Sequence, residues 1–219
     1  MASVTAGAPK EALALGGTTV LGRVVEECAA SGSSVAVVWS QAKGALPLDR
    51  RSVESVHDQP EPLGLGDAVR RGASGSEAVL VALPDVVFPF GGPLSRLMSA
   101  LDAGADFAVA VERVPPERQG LYGIVEIAGD EDWRIERMIE KPAPGATESP
   151  WAVASRYALG PQVVEALRAW PEREFGLTEV LAEILDRGGI GLAVPLSATE
   201  VRYDCGSPEG YAAARAALG

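Results

Sequence analysis

Gln59-Pro60-Glu61-Pro62-Leu63-Gly64-Leu65-Gly66-Asp67-Ala68-Val69 lies between a short predicted strand, Val53 to Val56, and an apolar-periodic run that opens at Gly66. The prolines hold this backbone extended. The glycines let it bend where a side chain would clash, and let another molecule come close. The Gln59 amide offers a donor and an acceptor side by side, the pattern that reads the edge of a flat heterocycle. A loop ending at a helix start is the plainer reading of the same residues. Strand, turn and helix in that order form the repeating unit of α/β proteins, and the flanking sequence extends the unit in both directions.

Toward the N-terminus, Ser33 to Ser40 contains Val35-Ala36-Val37-Val38-Trp39, a nearly continuous apolar run that predicts a strand covered on both faces. Before it, Thr18 or Thr19 caps a predicted helix reaching Ala30, with Val20, Leu21, Val24, Val25 and Cys28 on one face and Ser31-Gly32 as the stop. Met1 to Gly17 reads as irregular. Toward the C-terminus the expected elements are strands at 77–83 and 106–112, with a helix at 93–103. Strands at 122–128, 134–140 and 151–159 follow, then helices at 162–170 and 177–187, a strand at 190–197 and a closing helix at 208–218. Strands and helices alternate in the first half. This predicts a Rossmann-like three-layer α/β/α fold with a mixed, mostly parallel central sheet, and an antiparallel addition from the less regular second half. With no linker or repeat in view, residues 1–219 read as a single domain.

Bulk properties narrow the function. The chain has 219 residues, 47% hydrophobic and 22% charged, and a net charge of -11. That balance argues against nucleic-acid or anionic-membrane partners, which want basic surfaces. No apolar run approaches the ~20 residues that span a bilayer, and residues 1–10 lack the pattern of a signal peptide. Cys28 and Cys205 are too few for a disulfide framework, and a sole histidine, His57, argues against a zinc site. A reduced, cytoplasmic protein is expected, with the oligomeric state open. Of 19 basic residues only Lys10, Lys43 and Lys141 are lysine. Lysine is the better choice where a compact point charge must touch a phosphate.

Ligands of parallel sheets sit outside the carboxyl ends of the strands. Gln59 to Gly66, Asp85, Glu140-Lys141 and Tyr203-Asp204-Cys205-Gly206 all fall at such ends. These residues, in this order, resemble the bacterial UTP–glucose-1-phosphate uridylyltransferases and their thymidylyltransferase cousins within the sugar-1-phosphate nucleotidyltransferases. Pro9-Lys10-Glu11 is similar to the family's Pro-Lys-Glu, and Gln59 to Val69 to its uracil-binding segment, with Asp67 where a His is common. Leu83-Pro84-Asp85 resembles the strand end carrying a metal-binding Asp. Tyr122-Gly123-Ile124-Val125-Glu126 and Glu140-Lys141-Pro142 resemble the sugar-phosphate segments. Glu174-Phe175-Gly176-Leu177-Thr178-Glu179 resembles Glu-x-x-Leu-Thr-Asp, and Arg202-Tyr203-Asp204-Cys205-Gly206-Ser207 the turn carrying the second metal-binding Asp.

The resemblance implies nucleotidyl transfer: UTP and a sugar 1-phosphate, glucose 1-phosphate foremost, give a UDP-sugar and pyrophosphate. It implies that Asp85 and Asp204 bind Mg2+, that Lys10 and Lys141 hold phosphates, and that these four form the catalytic set. It assigns the nucleotide to Gln59, Gly64 and Gly66, and the sugar phosphate to Tyr122, Gly123, Glu140, Lys141 and Glu174. Arg156 and Arg202 are further sources of positive field for two anionic substrates. The sequence departs from the family at one point. The family opens with a buried strand and a Gly-x-Gly-Thr-Arg loop around the triphosphate, whereas this chain begins past it, and Thr5-Ala6-Gly7-Ala8 is no substitute. Either the start is set late or the loop has been shed, in which case the first strand is missing too. A member without the loop would be an impaired enzyme, or a sugar-nucleotide binder with a regulatory or assembly role, since one preorganised donor at a developing anion is worth roughly 3 kcal/mol. A nucleotidyltransferase for another phosphorylated alcohol is a further reading.

Overall fold

A computed structural model describes residues 9–73, 75, 78–129 and 132–219. Their contacts gather into two compact units: residues 9–61 with Ala82–Gly92 and Ser197–Gly219, and Pro62–Val81 with Pro93–Leu196.

In the first unit a one-turn 3-10 helix, Lys10–Ala12, leads into a hairpin of β1 (Ala14–Leu15) and β2 (Thr18–Thr19). Gly16 and Gly17 turn this hairpin, both at positive φ, which a two-residue loop of this type demands. Thr19 then caps α1 (Val20–Ala30), its hydroxyl accepting from the Gly22 N–H at 3.0 Å. Apolar residues spaced by four form two adjacent stripes on α1. Val20 and Val24 pack with Leu15, Val87, Cys205 and Ala214, while Leu21 and Val25 pack with Val37 and Trp39. β3 (Ala36–Trp39) and β4 (Ser55–Asp58) pair in parallel. Within β3 only Val37 and Trp39 are buried, and Ala36 is exposed. The apolar run predicted a strand covered on both faces, so that expectation is corrected: here alternate residues face the α1 cluster. β6 (Val86–Val87) and β12 (Tyr203–Asp204) form a short antiparallel ladder. Ser207 caps the last helix, which opens with Pro208 and runs to Leu218.

The second unit contains α2 (Gly64–Gly72) and a six-stranded sheet. Its strands are β5 (Val79–Ala82), β7 (Phe107–Arg113), β8 (Gly123–Ile127), β9 (Ile135–Glu140), β10 (Trp151–Leu159) and β11 (Gly191–Pro195), in the order β11-β7-β10-β8-β9 with β5 also on β10. Phe107 to Val111 are wholly enclosed and form the floor of the core. α3 (Leu94–Asp102) packs on β7, β10 and β11, whereas α5 (Leu177–Asp186) packs on β9 and, with α4 (Pro161–Ala169), on α2. The sheet is mixed, as the sequence predicts, but its balance differs from the expected one. β7 and β11 run parallel, while β7–β10, β10–β8 and β8–β9 are antiparallel. The reason lies in the connections. Among the described residues no helix joins β8 to β9 or β9 to β10, so each strand returns beside its neighbour in the opposite sense. The expected strand at 77–83 is β5, which is half-buried, and Glu77 lies outside the described residues.

β10 carries an irregularity between Val153 and Tyr157, and Ser155 sits there at φ +63°. Val153 to Tyr157 takes four steps where Val111 to Val109 on β7 takes two, so β10 accommodates two extra residues there. Arg156 is wholly buried, its Nη1 donating to the Ser155 carbonyl at 3.0 Å. Arg156 is therefore enclosed in this unit, and any positive field it lends acts from within the protein.

Candidate active site

Within the first unit, the β6–β12 ladder positions two carboxylates. Asp204 pairs with Val86, one residue past Asp85, and the Cys205 N–H donates to the Asp85 carbonyl at 2.8 Å. The two strand ends thus present Asp85 and Asp204 side by side. Gly206 reports how close they come. A Cβ at Gly206 would meet Asp204 Oδ1 at 2.7 Å, Asp85 Oδ2 at 3.2 Å and Lys10 Nζ at 3.5 Å. The Gly206 N–H donates to Asp204 Oδ1 at 2.9 Å, fixing the carboxylate from below.

Lys10 Nζ donates to Asp85 Oδ2 at 2.5 Å. Burial alone would push this ammonium's pKa down. The hydrogen bond and charge of Asp85, with the charges of Glu11 and Asp204, outweigh burial and hold it above its ordinary value. Lys10 therefore stays cationic between two acids. The neighbouring Glu11 is buried and accepts from Lys43 Nζ at 2.7 Å. The rarity of lysine singled out Lys43 as much as Lys10 and Lys141, yet no motif claimed it. Its partner was invisible because residues 11 and 43 meet only in three dimensions. Arg202 Nη1 stands 3.8 Å from Asp204 Oδ2. Burial, then the negative charges of Asp204 and Asp85, raise the Cys205 thiol from 9.0 to about 11. It stays a neutral packing group. Gln59 follows β4, half-buried, its N–H donating to the Trp39 carbonyl at 3.2 Å.

Two carboxylates meeting at one point suit a hard cation that takes one or two protein oxygens and completes its shell with water and phosphate. Among the described residues no group of three or more His, Cys, Asp or Glu side chains could hold a metal. A closed protein cage is thus not what these residues build, and the donor set fits Mg2+ rather than zinc.

The second unit gathers the sugar-phosphate candidates. Gly123 and Glu140 face each other in the β8–β9 register. Thr178, in the first turn of α5, donates to Glu140 Oε2 at 2.7 Å. A Cβ on Gly123 would stand 3.3 Å from that same oxygen. Lys141 adopts φ +43°, its N–H donating to the Tyr122 carbonyl at 3.0 Å, and its exposed ammonium stands 4.0 Å from Glu140 Oε1. The exposed Arg118 donates to the Tyr122 hydroxyl at 2.7 Å. Burial, then the charge of Glu140, hold the Tyr157 phenol above its ordinary value. Glu126, quoted in the same motif, is engaged otherwise, by Arg137 and by Thr147 at 2.6 Å.

Gly64 and Gly66 have a structural reason to be glycine. A Cβ at Gly64 would lie 2.2 Å from the Phe175 carbonyl oxygen, and one at Gly66 would lie 2.2 Å from the Phe175 ring. The Gly66 N–H donates to the Phe175 carbonyl at 3.2 Å, and the Phe175 N–H to the Leu63 carbonyl at 3.0 Å. What approaches these glycines closely is another part of the chain. Phe175 stacks on Trp170, with centroids 5.6 Å apart, and leaves Glu174 exposed beside it. Asp67 is fully buried and paired with Arg70 at 2.5 Å and Arg71 at 2.8 Å, so it anchors its own helix. Thr5 to Ala8, the place of the triphosphate loop, lies outside the described residues.

Residues 2–187 match the family model described as a MobA-like NTP transferase domain. The UTP–glucose-1-phosphate uridylyltransferase of Pseudomonas aeruginosa is 28% identical over 70% of this chain and 57% of its own length. The chain thus spans a little over half of that relative. The Mycoplasma pneumoniae protein of the same name is 28% identical over 94% of this chain and 84% of its own. Among solved structures, a UTP-bound UGPase from Acinetobacter baumannii superposes with a TM-score of 0.81 at 26% identity, covering 99% of this chain and 87% of that one. A UDP-glucose pyrophosphorylase complexed with UDP-glucose gives 0.78 at 28% identity, covering 95% and 89%. The three-layer α/β fold with its mixed sheet is shared with these structures. Because the family match extends over most of its length, the chain belongs to the MobA-like NTP transferase domain family.

Proposed function

We propose that the chain is a sugar-1-phosphate uridylyltransferase, joining UTP and a sugar 1-phosphate to give a UDP-sugar and pyrophosphate. The observation that carries this reading is the meeting of Asp85, Asp204 and Lys10 around Gly206. Glucose 1-phosphate is the first candidate, because relatives at 28% identity are named for glucose 1-phosphate or UDP-glucose.

In this reaction a phosphate oxygen of the sugar 1-phosphate attacks the α-phosphorus of UTP. The new P–O bond forms as the bond to the β-phosphate oxygen breaks, and that oxygen leaves with pyrophosphate. The nucleophile is already ionised, so no general base is required, and the protein's contribution is positioning and charge neutralisation. Asp85 and Asp204 would hold Mg2+, which would supply Lewis-acid charge neutralisation at phosphate oxygens. Lys10, kept cationic by its acidic neighbours, binds nucleotide phosphate oxygen as a compact point charge. Gln59 reads the uracil edge. Lys141 holds the sugar phosphate, while Glu140 and Glu174 accept from sugar hydroxyls beside Tyr122 and Gly123. Gly64 and Gly66 serve the nucleotide indirectly, by setting the course of their segment against Phe175. Cytoplasmic placement is part of the same reading, and no helix among the described residues is long and apolar enough to cross a membrane.

The test is to incubate the chain with UTP, glucose 1-phosphate and Mg2+ and to follow pyrophosphate. Release that needs all three supports the reading. No release above background, with UDP-glucose still bound, overturns it in favour of a binder with a regulatory or assembly role.

A further inference from the structure

We infer that Thr178 is a positioning residue that sets sugar selectivity by holding the Glu140 carboxylate in one orientation, an inference that rests on the reaction proposed above. Glu140 ends β9, its side chain 54% exposed. A glutamate that open would ordinarily sample several rotamers, because water satisfies its oxygens in each of them. Here one oxygen is committed. Thr178 Oγ1 donates to Oε2 at 2.7 Å, from a side chain that is 8% exposed and fixed in the first turn of α5. Its burial leaves the donor little room to move. Gly123 lies directly under the pair, since a Cβ there would stand 3.3 Å from Glu140 Oε2 and 3.4 Å from Thr178 Oγ1. The second oxygen, Oε1, stands 4.0 Å from the Lys141 ammonium, which the proposed reaction assigns to the sugar phosphate.

This geometry gives the carboxylate two distinct edges. Oε2 faces the protein hydroxyl, while Oε1 remains to accept from a hydroxyl-bearing ligand whose phosphate is held by Lys141. A fixed acceptor at a fixed distance from a phosphate contact favours a hydroxyl of one configuration, because an epimer directs its O–H elsewhere and leaves the acceptor unmet. A freely turning carboxylate would follow either epimer. Thr178 thus acts through Glu140, without touching the sugar.

The experiment compares the wild-type protein with Thr178→Val, which keeps the shape and removes the donor, and Thr178→Ser, which keeps the donor. Thr178→Ala serves in the same role if the valine variant does not fold. With UTP, Mg2+ and either glucose 1-phosphate or galactose 1-phosphate, the valine variant should show KM for the preferred sugar raised about tenfold. Its KM for UTP should be unchanged, and its preference between the two sugars should shrink toward one. Serine should restore both properties. Wild-type preference in the valine variant, a serine variant that behaves like valine, or parallel shifts in both KM values would overturn the inference. Binding of UDP-glucose by calorimetry on the same proteins separates this inference from the reaction. If the wild type makes no pyrophosphate the reaction fails, yet weaker binding in valine that serine restores still upholds the role of Thr178. Equal affinities, or no binding by the wild type, overturn it.

Discussion

The two groups of candidate residues are held in place by different forces. Around Gly206, position is set by a strand ladder and by opposite charges: two aspartates, a lysine between them, and a second pair, Glu11–Lys43, beside it. Around Gly123, position is set by a neutral hydroxyl and by close side-chain packing, and the charges there stay exposed. The first group should therefore be sensitive to charge and tolerant of small changes in shape near it. The second should be the reverse. Where a polyanion and a cation must be received, charge is both the tool and the glue. Where a sugar is to be told from its epimer, a rigid neutral frame is the better one.

The largest effect tests the charge side. Asp204→Asn keeps the shape and removes the charge, and should lower pyrophosphate formation on the order of 10³-fold or more while the melting temperature moves little. Near-normal turnover in that variant would detach Asp204 from the reaction. Next comes shape. Gly64→Ala would force a Cβ to 2.2 Å from a backbone oxygen at φ +89°, and should cost roughly 2–4 kcal/mol of stability in denaturant titration. Gly66→Ala should be partly repaired by Phe175→Leu, because its clash is with the ring; additive losses would mean that the ring is not what it meets. Smaller again is Lys43→Met, which strands a buried Glu11. Roughly 1–3 kcal/mol should be lost, with a rise of a few-fold in KM for UTP, since Lys10 shares the turn. An unchanged KM would confine Lys43 to stability.

The smallest prediction concerns acid. Hydrogen bonds from Arg137 and then Thr147 hold the Glu126 carboxyl below its ordinary 4.5. A carboxyl whose pKa is lowered by folding stabilises the protein above its unfolded value, and that contribution is lost as pH falls through the folded one. Glu126→Gln should therefore flatten the acid limb of a stability–pH curve below about pH 4.5, with little effect at neutral pH. An unaltered acid limb would show that the three-residue cluster is not formed in solution.

Much of this arrangement was legible in the sequence wherever the signal is local. The Thr19 cap, the α1 stripes and the stop at Ser31-Gly32 depend on neighbours within a turn or two, and they fall where the periodicity places them. Asp85, Asp204, Glu140 and Lys141 were readable as strand-end residues because turn chemistry marks strand ends. What depends on distant partners was hidden. Phe175 reads as any core aromatic, and nothing in Leu63-Gly64-Leu65-Gly66 says that the close neighbour is a segment over a hundred residues away. Thr178 reads as a helix-start residue until β9 is seen beside it. The burial of Arg156 falls at an offset within β10 that periodicity of two cannot foresee. The antiparallel share of the sheet was underestimated because alternation along the chain says nothing about how helix-free connections fold back.

Gly206 differs from the other conformationally demanding glycines in one respect. Gly16, Gly17 and Gly64 need glycine for their backbone angles, whereas Gly206 is outside the left-handed region and needs it only for room. Any larger residue would clash with Asp204 Oδ1 and press on Asp85 Oδ2, while coming to ordinary contact distance of the Lys10 ammonium. Saturation mutagenesis at that position becomes a gauge of the whole cluster: the breadth of accepted substitutions measures how firmly the three charged groups are locked, without any substrate being added.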